Sequence, residues 1–200
     1  MNIKNIKYIK FDNRLNVHET LNKGIELSSG EFLTIANVDD RRSVDCLEIL
    51  SKHLMFEEDI DLVYGDCLST NNKNEFIENC SSKEFYEHSR FSFSKENMIK
   101  CLPGPMPLWK KNMSIKNGKF DEQLKYAGDW DFWLRCVQNG SKFKKVNSII
   151  GSYYNNPYGL STNLKNSKER FLEERNIFIK YKNIFGEKVY NNFKDYFNAK

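Results

Sequence analysis

The chain has 200 residues, 40% hydrophobic and 14% aromatic, with a mean hydropathy of -0.67, which describes one globular domain with an ordinary core and excludes a disordered chain or a membrane-embedded one. Thirty-one basic and twenty-seven acidic residues give a net charge of +4; spread along the chain, this argues against nucleic acid as a partner and suits phosphorylated ligands or peripheral contact with an anionic membrane. The longest apolar run, around Phe32 to Ala36, falls far short of the ~20 residues that cross a bilayer. The polar start Met1–Asn5 lacks the apolar segment of a secretory signal, so a cytoplasmic location is expected. Five cysteines without a C-x-x-C pair read as buried, reduced thiols.

In chain order, Tyr8 to Phe11 is a strand candidate, and Val17, Leu21 and Ile25 recur at the spacing of one helix face before Gly30 ends the segment. Glu31 to Ala36 has the length and apolar character of a central buried strand. Ser43 is placed to cap the next helix, with Asp45 in its first turn and Val44, Leu47, Leu50 and Leu54 as its apolar stripe. Another strand is expected from Ile60 to Leu68. This alternation predicts an α/β layer fold with a largely parallel sheet. Asn71 to Lys100 reads as a polar surface excursion, and Pro103 to Pro107 as a stiff loop, because its prolines fix φ and remove backbone donors. A short helix opens at Gly128 and ends near Gly140, Phe143 to Tyr154 is a strand or hairpin, and Phe171, Phe178, Tyr181 and Phe185 mark a terminal helix packed back on the domain.

The run Asn37-Val38-Asp39-Asp40 leaves the expected central strand, and in open α/β sheets ligands bind at such carboxyl ends. Adjacent carboxylates repel unless a cation or hydrogen-bond donors offset the charge, and oxygen ligands suit Mg²⁺ or Mn²⁺. The same pair also reads as a cap for the following helix. Asp129 likewise fits a helix N-cap, with Asp131 as a favourable charge in the first turn.

Leu21 to Phe32 leading into Asn37-Val38-Asp39-Asp40-Arg41 resembles the approach to the D-x-D-type motif of family 2 glycosyltransferases with the GT-A fold. Phe120-Asp121-Glu122, Ala127 to Arg135 and Gly151-Ser152-Tyr153-Tyr154 resemble that family's acceptor half. The resemblance implies a GT-A-like, Rossmann-like α/β sheet, mostly parallel and flanked by helices, over residues 1–165, with a C-terminal helical extension at 166–200. It implies an inverting transfer of a sugar from a nucleotide-sugar donor to a glycan, lipid-linked or protein acceptor, in glycan or cell-surface polysaccharide synthesis. Asp39 and Asp40 would hold Mg²⁺ or Mn²⁺, and Asn37, Asp39 and Gly104 would line the donor. Asp129 would be the base that deprotonates the acceptor. Gly128 stands where the family commonly has Glu, so the acidic pair is incomplete.

The family's domain opens with strands that hold the nucleoside, and a βαβ unit takes roughly 30 residues or more. Met1 to Asn16 has no counterpart of that segment, so the domain reads as N-terminally truncated, to be completed by another polypeptide or a second copy. A non-catalytic remnant that binds glycan or nucleotide is the alternative. Arg41, Arg42, Trp109, Trp130, Trp133, Asp131, Ser161 and Thr162 are secondary candidates, and His18, His53 and His88, without metal-ligand spacing, read as surface or internally satisfied positions.

Overall fold

The computed structural model describes residues 6–80, 82 and 84–198; the polar Met1–Asn5 start lies outside them. The strands are β1 (Phe32–Thr34), β2 (Arg41–Arg42), β3 (Leu62–Thr70), β4 (Leu108–Lys110) and β5 (Phe143–Tyr154), and the helices are α1 (Val17–Leu27), α2 (Cys46–Phe56), α3 (Lys111–Asn117), α4 (Gly128–Gln138), α5 (Ser167–Lys180) and α6 (Lys182–Asn198). The sheet order is β1-β4-β3-β5-β2.

β3 and β5 pair in parallel, whereas β1–β4, β3–β4 and β2–β5 are antiparallel. β1, β3 and β5 therefore point the same way, but the sheet is mixed rather than mostly parallel as the sequence predicts. The reversals come from the two- and three-residue strands β2 and β4, which no crossover helix obliges to run parallel. The expected central strand is the edge of the described sheet: β1 pairs only with β4, and of its residues only Leu33 is buried. Tyr8 to Phe11 forms no strand and is exposed.

Side chains alternate across the sheet with the period of two that a pleat imposes. Leu62, Tyr64 and Trp109 face a core shared with α4, α5 and α6, including Phe132, Trp133, Phe178 and Phe185. Val63, Cys67 and Leu108 face α2 through Leu50 and Leu54. Gly65 sits at the register shift between β3 and β5; a Cβ there would stand 2.8 Å from the Ser148 carbonyl oxygen. The expected stripe of α2 is only half right. Val44 and Leu47 are exposed, Cys46, Leu50 and Leu54 are buried, and the N-cap is Asp45, without a side-chain bond, while the buried Ser43 hydroxyl has no partner. The C-terminal segment is two helices, broken by Gly186 at φ 77° within α6.

The polar excursion after β3 is not confined to the surface. It makes short 3₁₀ turns at Ile77–Asn79, Glu87–Ser89 and Glu96–Lys100, and Cys80, Ser89 and Met98 are buried.

α1 is closed by a capping box, with the Glu19 N–H donating to the Asn16 side chain at 2.9 Å and the Asn16 N–H to Glu19 at 2.6 Å. Its buried residues are polar. Val17 is 46% exposed, while His18 and Asn22 are 3% and 2% exposed. Asn22 Nδ2 donates to the Phe120 carbonyl and to Glu122, and the Phe120 N–H donates to Asn22 Oδ1, each at 2.9 Å. One amide thus fastens α1 to the segment that leads into α4.

Asn22→Ala would leave the buried Phe120 N–H and carbonyl unpaired, so we expect it to cost about 2–3 kcal/mol. Urea unfolding measures this, and a loss under about 0.5 kcal/mol would show that water replaces the amide.

Candidate functional site

A cavity of about 350 Å³ opens beyond the carboxyl ends of β1 and β5, lined among others by Asn37, Gly104, Asp129 and Tyr153. Three of the sequence-selected site residues therefore meet: Asn37 from the loop after β1, Gly104 from the proline-rich loop, and Asp129 from α4. Gly104 needs to be glycine, since its φ is 79° and a Cβ would lie 2.9 Å from the Ser89 Cβ.

Asp129 is the second residue of α4, not its cap. The N-cap is Ala127, which has no side-chain acceptor. A residue from α5 supplies one: Glu173 accepts from the backbone N–H groups of Lys125 at 2.8 Å, Tyr126 at 2.7 Å and Ala127 at 2.5 Å. Such successive N–H groups form a concave site for an anion. With the helix entrance held this way, the Asp129 carboxylate faces the cavity and accepts the Trp130 N–H at 2.8 Å.

Position in the first turn of a helix should hold Asp129 ionised, but burial wins. Desolvation raises its carboxyl above the ordinary Asp value, and the Trp130 N–H and the nearby His18 and His88 offset this only in part. A second cavity carboxyl, Glu174 of α5, is also raised, chiefly by burial and against the pull of Arg170, whose Nε lies 3.6 Å from it. Sequence reading selected neither Glu174 nor the cavity-lining Tyr86, His88 and Arg170. Their segments carry no motif, and only the fold of the excursion and of α5 brings them to Asp129.

The Asp39-Asp40 loop is pinned from several sides. The Val38 and Asp39 carbonyls accept from Asn74 at 3.2 and 2.9 Å. Asp40 Oδ1 accepts the Tyr154 N–H at 2.9 Å and its Oδ2 accepts Asn37 Nδ2 at 2.7 Å. Burial raises the Asp40 carboxyl, with the Asp39 charge adding to the rise against these donors. Asp39 Oδ2 has only a 3.4 Å contact from Asn156, and its other oxygen has no hydrogen-bond partner among the described residues. Asp40 lines a neighbouring cavity that shares Asn37 with the first.

Among the described residues no three His, Cys, Asp or Glu side chains come together as a metal cluster. One or two carboxylates are nevertheless what Mg²⁺ asks of a protein when a substrate's phosphates complete the shell. Asp39, with one oxygen open, fits that donor set better than Asp40, whose oxygens both hold the loop.

The remaining candidates make contacts within the fold, and of them Trp130, Trp133 and Ser161 also line the first cavity and Arg41 and Arg42 the second. Arg42 donates to the Thr34 hydroxyl at 2.7 Å and the Ile35 carbonyl at 2.5 Å, and Arg41 lies over the Phe76 ring at 4.0 Å. Asp131 is 1% exposed and binds Lys180 at 2.6 Å and Tyr181 at 3.1 Å, tying α4 to the C-terminal helices. Trp109 and Trp133 are core residues, and Trp130 Nε1 donates to the Met98 carbonyl at 2.7 Å. Ser161 lines the cavity, and the Thr162 hydroxyl binds the Asn156 carbonyl.

The mixed sheet flanked by helices is an α/β fold of the GT-A-like kind. The model of glycosyl transferase family 2 matches residues 2–116, and the chain belongs to that family. It is 26% identical over 151 residues to a protein of Methanocaldococcus jannaschii named an uncharacterized glycosyltransferase, covering 75% of this chain and 51% of that one. It is 22% identical over 149 residues to a PGL/p-HBAD biosynthesis glycosyltransferase of Mycobacterium tuberculosis, covering 74% and 54%. The chain spans about half the length of the curated relatives it matches. Among solved structures, S. aureus TarS 1-349 in complex with UDP superposes with a TM-score of 0.58 at 14% identity, over 90% of this chain and 52% of that one. The mannosyltransferase PcManGT of Pyrobaculum calidifontis, in complex with GDP-Man and Mn²⁺, superposes with a TM-score of 0.56 at 14% identity, over 96% and 50%. At such identities these likenesses establish the fold. No helix among the described residues is long and apolar enough to cross a membrane.

The raised Asp129 carboxyl has a consequence for stability. A folded state that binds this proton more tightly than the unfolded chain is favoured below the unfolded pKa, and the advantage is lost as pH rises through the folded pKa. Asp129→Asn cannot ionise, so its stability relative to the parent should grow from pH 4 to pH 8. Paired urea titrations would show this; a pH-independent difference would mean that the carboxylate is fully solvated.

Proposed function

We propose that the chain carries a sugar-transfer site, in which a nucleotide-sugar donor lies against Asn37, Asp39 and Gly104 and an acceptor hydroxyl meets Asp129. The observation that carries this reading is the cavity itself, which joins Asn37 and Gly104 to a carboxyl whose proton affinity burial has increased. A carboxylate at its ordinary pKa is a feeble base, and moving it toward neutrality strengthens its pull on a hydroxyl proton. In-line attack by that hydroxyl, from the face opposite the departing diphosphate, inverts the anomeric carbon.

Asp39, with Asp40 adjoining, would hold Mg²⁺ or Mn²⁺. The ion would supply positive charge to the diphosphate as its bond to the sugar breaks. Asp40 sets the loop that presents Asp39, and Asn37 offers its amide to ribose or phosphate. Family membership and the names of the relatives support transfer of a sugar. The UDP and the GDP-Man with Mn²⁺ bound by the structural neighbours support a nucleotide-sugar donor and a divalent ion. A cytoplasmic setting at an anionic membrane surface, and a product that enters a glycan or cell-surface polysaccharide, complete the proposal. The outer edge of β1, unpaired among the described residues, is where another polypeptide or a second copy would add strands.

Two measurements test this. Calorimetry should show UDP or GDP binding more tightly with Mn²⁺ than with chelator, and Asp39→Ala should abolish the difference; equal affinities would remove the ion from the site. In a transfer assay, Asp129→Asn should keep the fold and lose about a hundredfold or more in rate. A parent that binds nucleotide with no turnover would instead support the non-catalytic remnant.

A further inference from the structure

His18 is a buried imidazole that the proposed transfer leaves without a task. Its Nδ1 lies 2.6 Å from the Leu124 carbonyl, and a carbonyl only accepts, so Nδ1 must donate. In the neutral ring this leaves Nε2 as a bare acceptor. The ring stacks on Phe120 at 6.1 Å between centroids, which fixes its plane. Its far edge lies against Gly128: a Cβ at that position would stand 2.6 Å from both Cε1 and Nε2. The imidazole therefore fills the volume that any side chain at position 128 would need, directly beside Asp129, in the wall of the same cavity. Nε2 has no hydrogen-bond partner among the described residues. The other titratable or charged groups lining that cavity are His88, Cys101, Glu174 and Arg170, with Tyr86, Tyr126 and Tyr153. His88 spends its Nδ1 on the Lys100 carbonyl, and Arg170 faces Glu174.

Resting on the transfer reading, we propose that His18 is an acceptor-binding residue: its Nε2 takes a hydrogen bond from a hydroxyl of the acceptor sugar and holds that sugar beside Asp129. The glycine at 128 is then the condition for the site rather than a defect in it, since a side chain there would expel the imidazole. The ligand class follows from the chemistry. A lone-pair acceptor and a carboxyl side by side in a half-buried cavity match two hydroxyl donors on one ring, as a polyhydroxylated sugar presents.

The test uses the whole chain with ¹⁵N-labelled histidine, and long-range ¹H–¹⁵N spectra at pH 8. The probes are p-nitrophenyl α- and β-glycosides of glucose, galactose and mannose, added with and without UDP or GDP and Mn²⁺. We expect Nδ1 to carry the proton, Nε2 to be pyridine-like, and Nε2 to shift as one of the glycosides saturates. His18→Asn keeps a donor for Leu124 but lacks Nε2, and should weaken that glycoside roughly fivefold, the worth of one neutral hydrogen bond. A protonated Nε2, an Nε2 that no glycoside moves, or a His18→Asn protein that binds the glycoside as tightly as the parent would each overturn the proposal. If the nucleotides bind and Nε2 stays still, His18 alone is wrong. If Nε2 responds while neither nucleotide binds, the transfer reading falls and a sugar site at His18 stands.

Discussion

The entrance of α4 depends on a single carboxylate. Ala127 cannot cap its own helix, and without Glu173 the N–H groups of Lys125, Tyr126 and Ala127 would face a half-buried region unpaired. With Glu173 in place the helix starts at a fixed point, and Asp129 one residue further on is aimed at the cavity. The same helix, α5, brings Arg170 and Glu174 to the cavity wall. The C-terminal helices are therefore part of the site, and their aromatic packing through Phe178 and Phe185 is what keeps Glu173 in reach.

Asp40 and Asp129 show how similar burial is put to different uses. In both, desolvation raises the carboxyl and nearby donors oppose it. The donors to Asp40 are the Asn37 amide and the Tyr154 N–H, which belong to the loop and to β5, so its charge fastens one to the other. Asp129 is opposed by the Trp130 N–H of its own helix and by the imidazoles of His18 and His88, which line the same cavity. The one hydrogen bond its carboxyl accepts among the described residues comes from the next residue of α4.

Much of the fold could be read from the sequence where patterns are long. Phe143–Tyr154, read as a strand or hairpin, is one strand, and α4 is found as expected because its dense aromatics leave few alternatives. The short β2 and β4 escaped, since two or three residues carry no period, and their pairing partners lie far along the chain. α1 was found with one end of its stripe misplaced, since Leu21 and Ile25 pack against the core but Val17 is exposed. Apolar spacing put Val17 inside, whereas the carbonyls of Phe120 and Leu124 reward polar side chains on that surface and draw in Asn22 and His18. Asn37, Gly104 and Asp129 were singled out by the family resemblance, and the fold brings the three to one cavity. Glu173, Glu174 and His18 were not singled out, because Glu173 and His18 bond to segments 46 and 106 residues away and Glu174 reaches the cavity only through the packing of α5.

The matched family region ends at residue 116, and that boundary divides the cavity. Asn37 and Gly104, proposed to meet the donor, lie before it, with Asp39 and Asp40 on the loop that follows Asn37. Asp129 and Glu174 lie after it, on the side proposed for the acceptor, with Glu173 holding the entrance of α4. Diphosphate chemistry imposes the same demands whatever sugar is moved, namely offset charge and close backbone approach, and these narrow the usable residues. An acceptor wall must instead fit one hydroxyl pattern among many, so the demands on it differ from one sugar to the next. His18 precedes the boundary yet stands beside Asp129, because α1 is fastened by Asn16 and Asn22 to the segment that leads into α4. Residues near the start of the chain and residues near its end thus build one wall, and a change in either can retune the other.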